Sequence, residues 1–474
     1  MFGWARRQRL FILLFCTFAY FYQGSDENQA TRIFLTHAVV DRHAPDITPD
    51  AARVIDKGRK GDRFYSDKAP LVSWIATVPY ALTRVSDDVF RVPNVRATQR
   101  VRVHVLAATI GGGAGVIASF FVHATLLLLG ATRRQAGLLT IGYALGTLVF
   151  PYSTVLYGHA VAAALLAFSF WIIVRSDVDK TLSRRDAIML GVAWGMSIVT
   201  EYPTALLCAV QGIAIAPVAL RGRKIGWIAC GGVPVLVLHS LFLAWAFGSP
   251  FVLPYAFVAE PFFRARMSTG VLGLDHPTLT RAYGVLFSPY RGLFFYCPFL
   301  VLAIAGLGDW LALGVHRRAA LVCAASAVVY VLFCTSYYAW DGGLATSCRH
   351  LVPALVYFVL PIAFFLRGAR YKTWIALGAL AASVAIMLAC TAVLVQQREG
   401  PVSWMNPLYD TVVPRLLDGQ LGTNWIDLDH EGPRADASYN LGTLMGLSPA
   451  ASLVMLALAW IAAYSREILP RRAT

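Results

Sequence analysis

Charge is what this chain has least of. Only 14% of its 474 residues are Asp, Glu, Lys or Arg, against 57% apolar, a balance that excludes an ordinary soluble globular protein. Acidic residues are the scarcer sign, 26 against 41 Lys and Arg, which leaves a formal charge of +15. The eight cysteines lie almost wholly inside apolar runs and never form a CxxC pair. They read as small apolar fillers, and neither a metal knuckle nor a disulfide framework is expected. No GxGxxG loop occurs, so a dinucleotide-binding unit is excluded. No small-residue cleavage site follows the first apolar run, where Ala19-Tyr20-Phe21-Tyr22-Gln23 stands instead. That run is expected to be a retained anchor with its aromatics in an interfacial belt. Low-complexity tracts, solenoid repeats and a soluble domain are absent as well.

Long apolar runs are there in plenty. They cover 10–22, 103–129, 135–150, 154–174, 187–199, 204–220, 225–247, 292–313, 319–337, 346–366, 373–395 and 448–463, and mean hydropathy is +0.59. A bilayer core of about 30 Å takes about 20 apolar residues as helix, so most of these qualify as spans. Alternate connections carry Arg133/Arg134, Arg175/Lys180/Arg184/Arg185, Arg221/Arg223/Lys224, Arg317/Arg318 and Arg367/Arg370/Lys372, and the tail adds Arg466, Arg471 and Arg472. Short basic loops mark the cytoplasmic side. The expectation is an all-α, polytopic integral membrane protein of about 12 transmembrane helices, both termini cytoplasmic. The excess of Lys and Arg is then explained by anionic headgroups, and no nucleic-acid partner is implied.

This topology sorts the polar sequence. Segments 24–102, 248–291 and 396–447 fall on the outer side, and only Asp177, Asp179, Asp186, Asp309 and Glu467 of the 26 acids remain inside. Any chemistry is therefore expected outside the cytoplasm. The first outer loop begins Ser25-Asp26-Glu27, followed by a helically spaced apolar set from Ala30 to Val40. Ser25 or Asp26 can cap that helix, and paired acids suit its dipole. Alternatively, one carboxylate acts there as general base toward an acceptor hydroxyl or amine, its neighbour orienting it or pairing with Arg32. The loop continues with Arg53, Lys57, Arg59, Lys60 and Arg63, then Tyr65-Ser66-Asp67-Lys68-Ala69-Pro70, and 71–82 reads as an interfacial helix. Most of these cations suit lipid headgroups; Lys68, held between an acid and Ala-Pro at a helix start, stands apart as a phosphate ligand.

Further on, Arg291 opens a span, and Arg349 and His350 lie about a turn inside another, where a charge is functional or paired by default. Arg349 is expected to bind an anion or to pair with Asp341 or Glu201, and His350 to make a structural hydrogen bond or a substrate contact. Tyr337, Tyr338 and Trp340 suit either the membrane interface or the face of a sugar. Asp427, Asp429, His430 and Glu431 read as a solvated acidic turn.

Three stretches carry a resemblance. They are the acid pair with Tyr65–Pro70; Phe287-Ser288-Pro289-Tyr290-Arg291-Gly292-Leu293-Phe294 with Tyr296-Cys297-Pro298; and Trp340-Asp341-Gly342-Gly343 with Arg349-His350-Leu351-Val352-Pro353. In this order they resemble the GT-C glycosyltransferases, in particular the bacterial group with the lipid A aminoarabinose, lipopolysaccharide-core galacturonosyl and protein O-mannosyl transferases. The resemblance runs from residue 9 to about 370. It implies a transfer of sugar from a polyprenyl-phosphate donor to an envelope glycan, lipid or protein outside the plasma membrane of a bacterium. It implies Asp26 as the first candidate for the base, with Glu27 its partner. Lys68, Arg63, Arg291 and Arg349 would hold the donor phosphate or lipid, and Tyr65, Trp340, Asp341 and His350 would contact sugar or acceptor. No cofactor is required; some GT-C members bind a divalent cation near the acid pair, and no cluster here demands one. Residues 1–396 would form the catalytic module, 397–447 a loop that sets the acceptor, and 448–474 the last helix and basic tail. Two other classes compete: a flippase for lipid-linked sugars, which calls for midplane charges and an internal repeat, and a non-catalytic envelope-assembly subunit.

Overall fold

In the computed structural model, which describes residues 2–92, 96–397, 405–426 and 433–468, the apolar runs become helices of one bundle. The chain begins with α1 (Phe2–Ala19), then α2 (Glu27–Asp41) and α3 (Leu71–Phe90) in the first long loop. Next come α4 (Thr98–Leu128), α5 (Arg133–Leu145), α6 (Gly158–Asp179), α7 (Arg184–Thr200), α8 (Ala205–Arg221) and α9 (Ile225–Phe247). The second half adds α10 (Leu302–Leu313), α11 (Arg317–Ser336), α12 (Arg349–Phe365), α13 (Arg370–Val393) and α14 (Pro449–Ile468). Six of these, α4, α6, α8, α9, α11 and α13, are long and apolar enough to cross a membrane. The other expected spans are shorter or broken, and prolines account for the breaks. Pro298 follows the short turn Leu293–Tyr296, and Pro353 sits within a 3-10 stretch at the start of α12.

The basic connections gather at one end of the bundle. Arg318 pairs with Asp177 at 3.0 Å, Lys372 with Asp309 at 2.8 Å, and Arg367 donates to the Leu129 carbonyl at 2.7 Å. The long loops gather at the other end. Inside the bundle, Gln211 ties four helices by accepting from Ser169 and Trp194 and donating to Tyr357, each at 2.7 Å. Such a node leaves no amide unsatisfied among apolar neighbours.

Three differences from expectation bear on the site. The aromatics after α1 are not an interfacial belt: Tyr20, Phe21 and Tyr22 are buried, and β1 (Phe21–Tyr22) pairs antiparallel with β6 (Tyr439–Asn440). The helix expected over 71–82 runs two turns further, to Phe90, through Pro79. Its Val72, Ala76 and Tyr80 face the core while Val78, Leu82, Val85 and Val89 are exposed, the stripe of an amphipathic helix. Finally, the all-α expectation omits short ribbons: β2 (Lys57–Lys60) with β3 (Arg63–Ser66), and β4 (Thr423–Ile426) with β5 (Pro433–Ala437). The acidic turn expected at Asp427–Glu431, and Arg471 and Arg472, lie outside the described residues.

Two contacts set the second long loop over the first. The Ala259 N–H donates to the Lys57 carbonyl at 2.9 Å, and Lys60 Nζ donates to the Phe247 carbonyl at 2.5 Å. Helix α9 behind them packs against α7 at glycines. A Cβ on Gly191 would lie 1.9 Å from the Ile228 carbonyl oxygen, and one on Gly231 would lie 2.0 Å from that of Ile188. Only backbones without side chains approach this closely.

Candidate active site

A cleft opens at the loop-rich end, between the first and second long loops, the head of α6 and the 337–350 segment. Its floor is the start of α2. Asp26 caps that helix: its Oδ1 accepts the N–H groups of Asn28 (2.8 Å) and Gln29 (3.0 Å). Its Oδ2 accepts the side-chain amides of Gln29 (2.9 Å) and Gln396 (2.5 Å). Gln29 cannot turn over, because its Nε2 also donates to Gly24 and its Oε1 accepts the Leu156 N–H. Burial raises the Asp26 pKa, and these hydrogen bonds oppose the rise. With donors on both oxygens, Asp26 is a structural anchor as much as a carboxylate.

Glu27 differs in each respect. It is half-buried, and its Oε2 accepts the Ile55 N–H at 2.7 Å. Burial pushes its pKa up to about 7; the Ile55 bond works against this, while Asp56 and Asp26 add to it. The protonation of Glu27 therefore changes near neutrality.

The cleft cations are mostly committed. Lys68 sits between Asp56 at 2.9 Å and Asp67 at 3.2 Å. Burial disfavours its ammonium, but the two carboxylates outweigh burial and hold its pKa above the ordinary lysine value. Arg32 binds Glu201 at 3.4 Å and Asn28, not the acid pair, because it lies on the α2 face turned toward the head of α8. His159 completes that group, 3.5 Å from Glu201. Arg349 forms no ion pair among the described residues: neither Asp341 nor Glu201 reaches it, and its guanidinium stands 5.5 Å from the centre of the Tyr157 ring. His350 packs edge-on to His159 and Tyr337.

Asp26, Glu27, Lys68, Asp341, Arg349 and His350 therefore all line one cleft, although they come from three separate stretches. Four other candidates do not. Arg63 is 68% exposed and points to Asp46 at 3.8 Å. Arg291 is fully buried beneath the site, donating to the Gly343 carbonyl at 2.9 Å and covering the Tyr290 ring. The Nη2 making that bond also donates to the Gln397 carbonyl at 3.4 Å, so this nitrogen is directed at backbone and not into the cleft. Tyr65 packs on Phe247, 4.9 Å between centres, and Trp340 packs on Gly284 and Tyr290. Sequence reasoning missed Asp56, Tyr157 and Tyr255, which line the cleft. The polar-aromatic run Tyr157-Gly158-His159 at the head of a span was a usable signal. Asp56, one acid in a basic loop, gave none. Among the described residues no group of three His, Cys, Asp or Glu side chains converges as metal ligands.

No protein-family model matches the chain, and no curated protein does. Solved structures do. ArnT from Cupriavidus metallidurans bound to undecaprenyl phosphate superposes with a TM-score of 0.52 at 13% identity, over 82% of this chain and 65% of that one. The Archaeoglobus fulgidus oligosaccharyltransferase in its apo form gives 0.51 at 11% identity, over 84% of this chain and 56% of that one. The fold is GT-C. This chain spans 65% and 56% of the two neighbours' lengths, and at such identities the likeness concerns the fold. Within this fold, the acid pair at the start of α2 and Arg349 at the start of α12 share the cleft.

Proposed function

We propose that the chain is a membrane glycosyltransferase that moves a sugar from a polyprenyl-phosphate donor to an acceptor outside the cytoplasm. The observation that carries this reading is the cleft's division of charge: a carboxylate with a pKa near 7 and a guanidinium without an ion pair line one opening. A neighbour with the same fold binds undecaprenyl phosphate, which supports a lipid-linked donor. The reaction needs little more. The acceptor O–H gives its proton to Glu27 while its oxygen bonds to the sugar's anomeric carbon. The bond from that carbon to the phosphate oxygen breaks, and the electron pair leaves on the polyprenyl phosphate, whose charge Arg349 holds. Asp26 positions Glu27 by fixing the start of α2. Lys68 holds Asp56 and Asp67 together, so its charge is already balanced. Tyr157, Tyr255 and Tyr338 offer faces for a sugar ring.

The test incubates undecaprenyl phosphate and radiolabelled nucleotide sugars with membranes from cells lacking the chain, with and without its re-expression. Label should reach a product other than the donor lipid only where the chain is present. Labelled donor that merely changes leaflet, with no new product, would establish the flippase reading instead.

A further inference from the structure

The cleft's charges also speak to the acceptor. Its lining holds the carboxylates Asp26, Glu27, Asp56, Asp67, Glu201 and Asp341, against Arg32, Lys68, Arg266 and Arg349, so acids exceed cations by two (6 − 4) in a chain whose formal charge is +15. Two of the four cations are paired and a third lies outside the interior. Lys68 is bracketed by two carboxylates, Arg32 is on Glu201, and Arg266 lies exposed at the rim, 4.1 Å above the Phe262 ring. The fourth, Arg349, has a buried Nε that no hydrogen-bond acceptor reaches among the described residues. In the reaction above it receives the leaving phosphate, so the interior offers no cation for a second anion.

We infer that the acceptor presents an uncharged hydroxyl group, and that phosphates and other anionic acceptors are refused. This deepens the proposed function and rests on it. Two independent features agree. An anion entering there meets Asp56, and Glu27 once it is ionised, while Lys68 is already committed and Arg266 stays outside at the rim, a charge balance that disfavours wrong partners. Conversely, a phosphate oxygen is already a nucleophile and needs no base, whereas a hydroxyl must lose its proton, and Glu27 stands in the cleft to take it. The aromatic residues on the second-loop side, Tyr255, Phe262 and Phe263, suit the apolar faces of a neutral sugar or a peptide better than a phosphate headgroup.

The linkage in the product decides the matter. A sugar joined to a hydroxyl is an ordinary glycoside and survives mild acid, whereas a sugar joined to phosphate is released by it. Membranes carrying the wild-type chain or Glu27→Gln are incubated with undecaprenyl phosphate and radiolabelled nucleotide sugars, the donor lipid is removed by chromatography, and the product is held in mild acid. The expected result is label that stays bound after acid and falls about 10²–10⁴-fold in Glu27→Gln, the usual share of a general base. Chain-dependent label that acid releases would overturn the inference while leaving the transferase reading intact. The absence of any chain-dependent product, with the chain present in the membrane at wild-type level, would overturn both.

Discussion

At Asp26 four amide groups converge on two carboxylate oxygens, and this changes what a conservative substitution does there. Asparagine caps a helix as well as aspartate. Here, however, its NH₂ would face the amides of Gln29 and Gln396, and Gln29 is held at both ends and cannot turn to accommodate it. Asp26→Asn should therefore lower stability by about 1–3 kcal/mol, the cost of leaving a buried polar group unsatisfied. Thermal unfolding in detergent measures this; an unchanged midpoint would show that the amides rearrange freely. Glu27→Gln should behave oppositely. Its carboxyl titrates near 7 in the fold against 4.5 for an ordinary glutamate, so the folded state holds the proton longer than the unfolded one. Stability from this group is present below pH 4.5 and is lost as pH rises through about 7. Glu27→Gln should thus match wild type at pH 4 and melt higher at pH 8, while its turnover is low throughout. In the wild type, turnover should rise with pH through about 7 and then level, as the base becomes ionised; a profile flat from pH 5 to 9 removes Glu27 from that role. For the cations, Arg349→Ala should weaken binding of undecaprenyl phosphate by about 1.5–3 kcal/mol, the worth of a charge-assisted hydrogen bond. Lys68→Ala should instead destabilise the fold by leaving Asp56 and Asp67 side by side. If Lys68→Ala alone abolishes lipid binding in a folded protein, the phosphate belongs to Lys68. The acid pair, Lys68 and Arg349 were legible because charges beside apolar runs are conspicuous. Which of them is saturated, paired or open was not legible, because partners such as Gln396 and Asp56 are brought in by the fold. Arg63 and Arg291 are indistinguishable from Arg349 in sequence, because Asp46 and the Gly343 carbonyl reach them only through the fold.

Among the elements, α9 has a larger part than its position suggests. It lies at the side of the bundle, held to α7 where Gly191 and Gly231 let the backbones meet, and its last residues receive Lys60 and Tyr65 from the first loop. The loop that leaves it forms the Tyr255–Met267 wall of the cleft. Gly231→Val should therefore push α9 from α7, lower stability by about 1–3 kcal/mol as overpacking does, and weaken acceptor use more than donor binding. Gly226→Val is the control on the same helix, since a Cβ there meets nothing within 4 Å. Equal behaviour of the two variants in stability and transfer would dissociate α9 from the wall. The apolar runs fall mostly on helix because hydropathy is a local property. The breaks in the runs at 292–313 and 346–366 fall at Pro298 and Pro353, single residues that the length of each run masks. The burial of Tyr20–Tyr22 was not legible, since its cause is a strand from residue 439, more than four hundred residues away.

For the molecule as a whole, the proposed outer placement of the cleft rests on the gathering of basic connections at one end and long loops at the other. Cysteine introduced at the exposed positions Arg59 and Asp418 should react with an impermeant maleimide on intact cells. Labelling of both sites only after lysis would invert the membrane topology and move the cleft to the cytoplasm. Gln396, just beyond α13, completes the hydrogen bonding of an aspartate that the ribosome delivers 370 residues earlier. Pairing of β1 with β6, and the bond from Tyr20 to the Ser452 carbonyl at 2.8 Å, likewise join the first part of the chain to the last. The acid pair therefore enters the membrane unfinished and remains so through most of translation. Maturation of the centre coincides with arrival of the final helices, so a chain cut short anywhere before α13 carries the acids but not the shape that arms them.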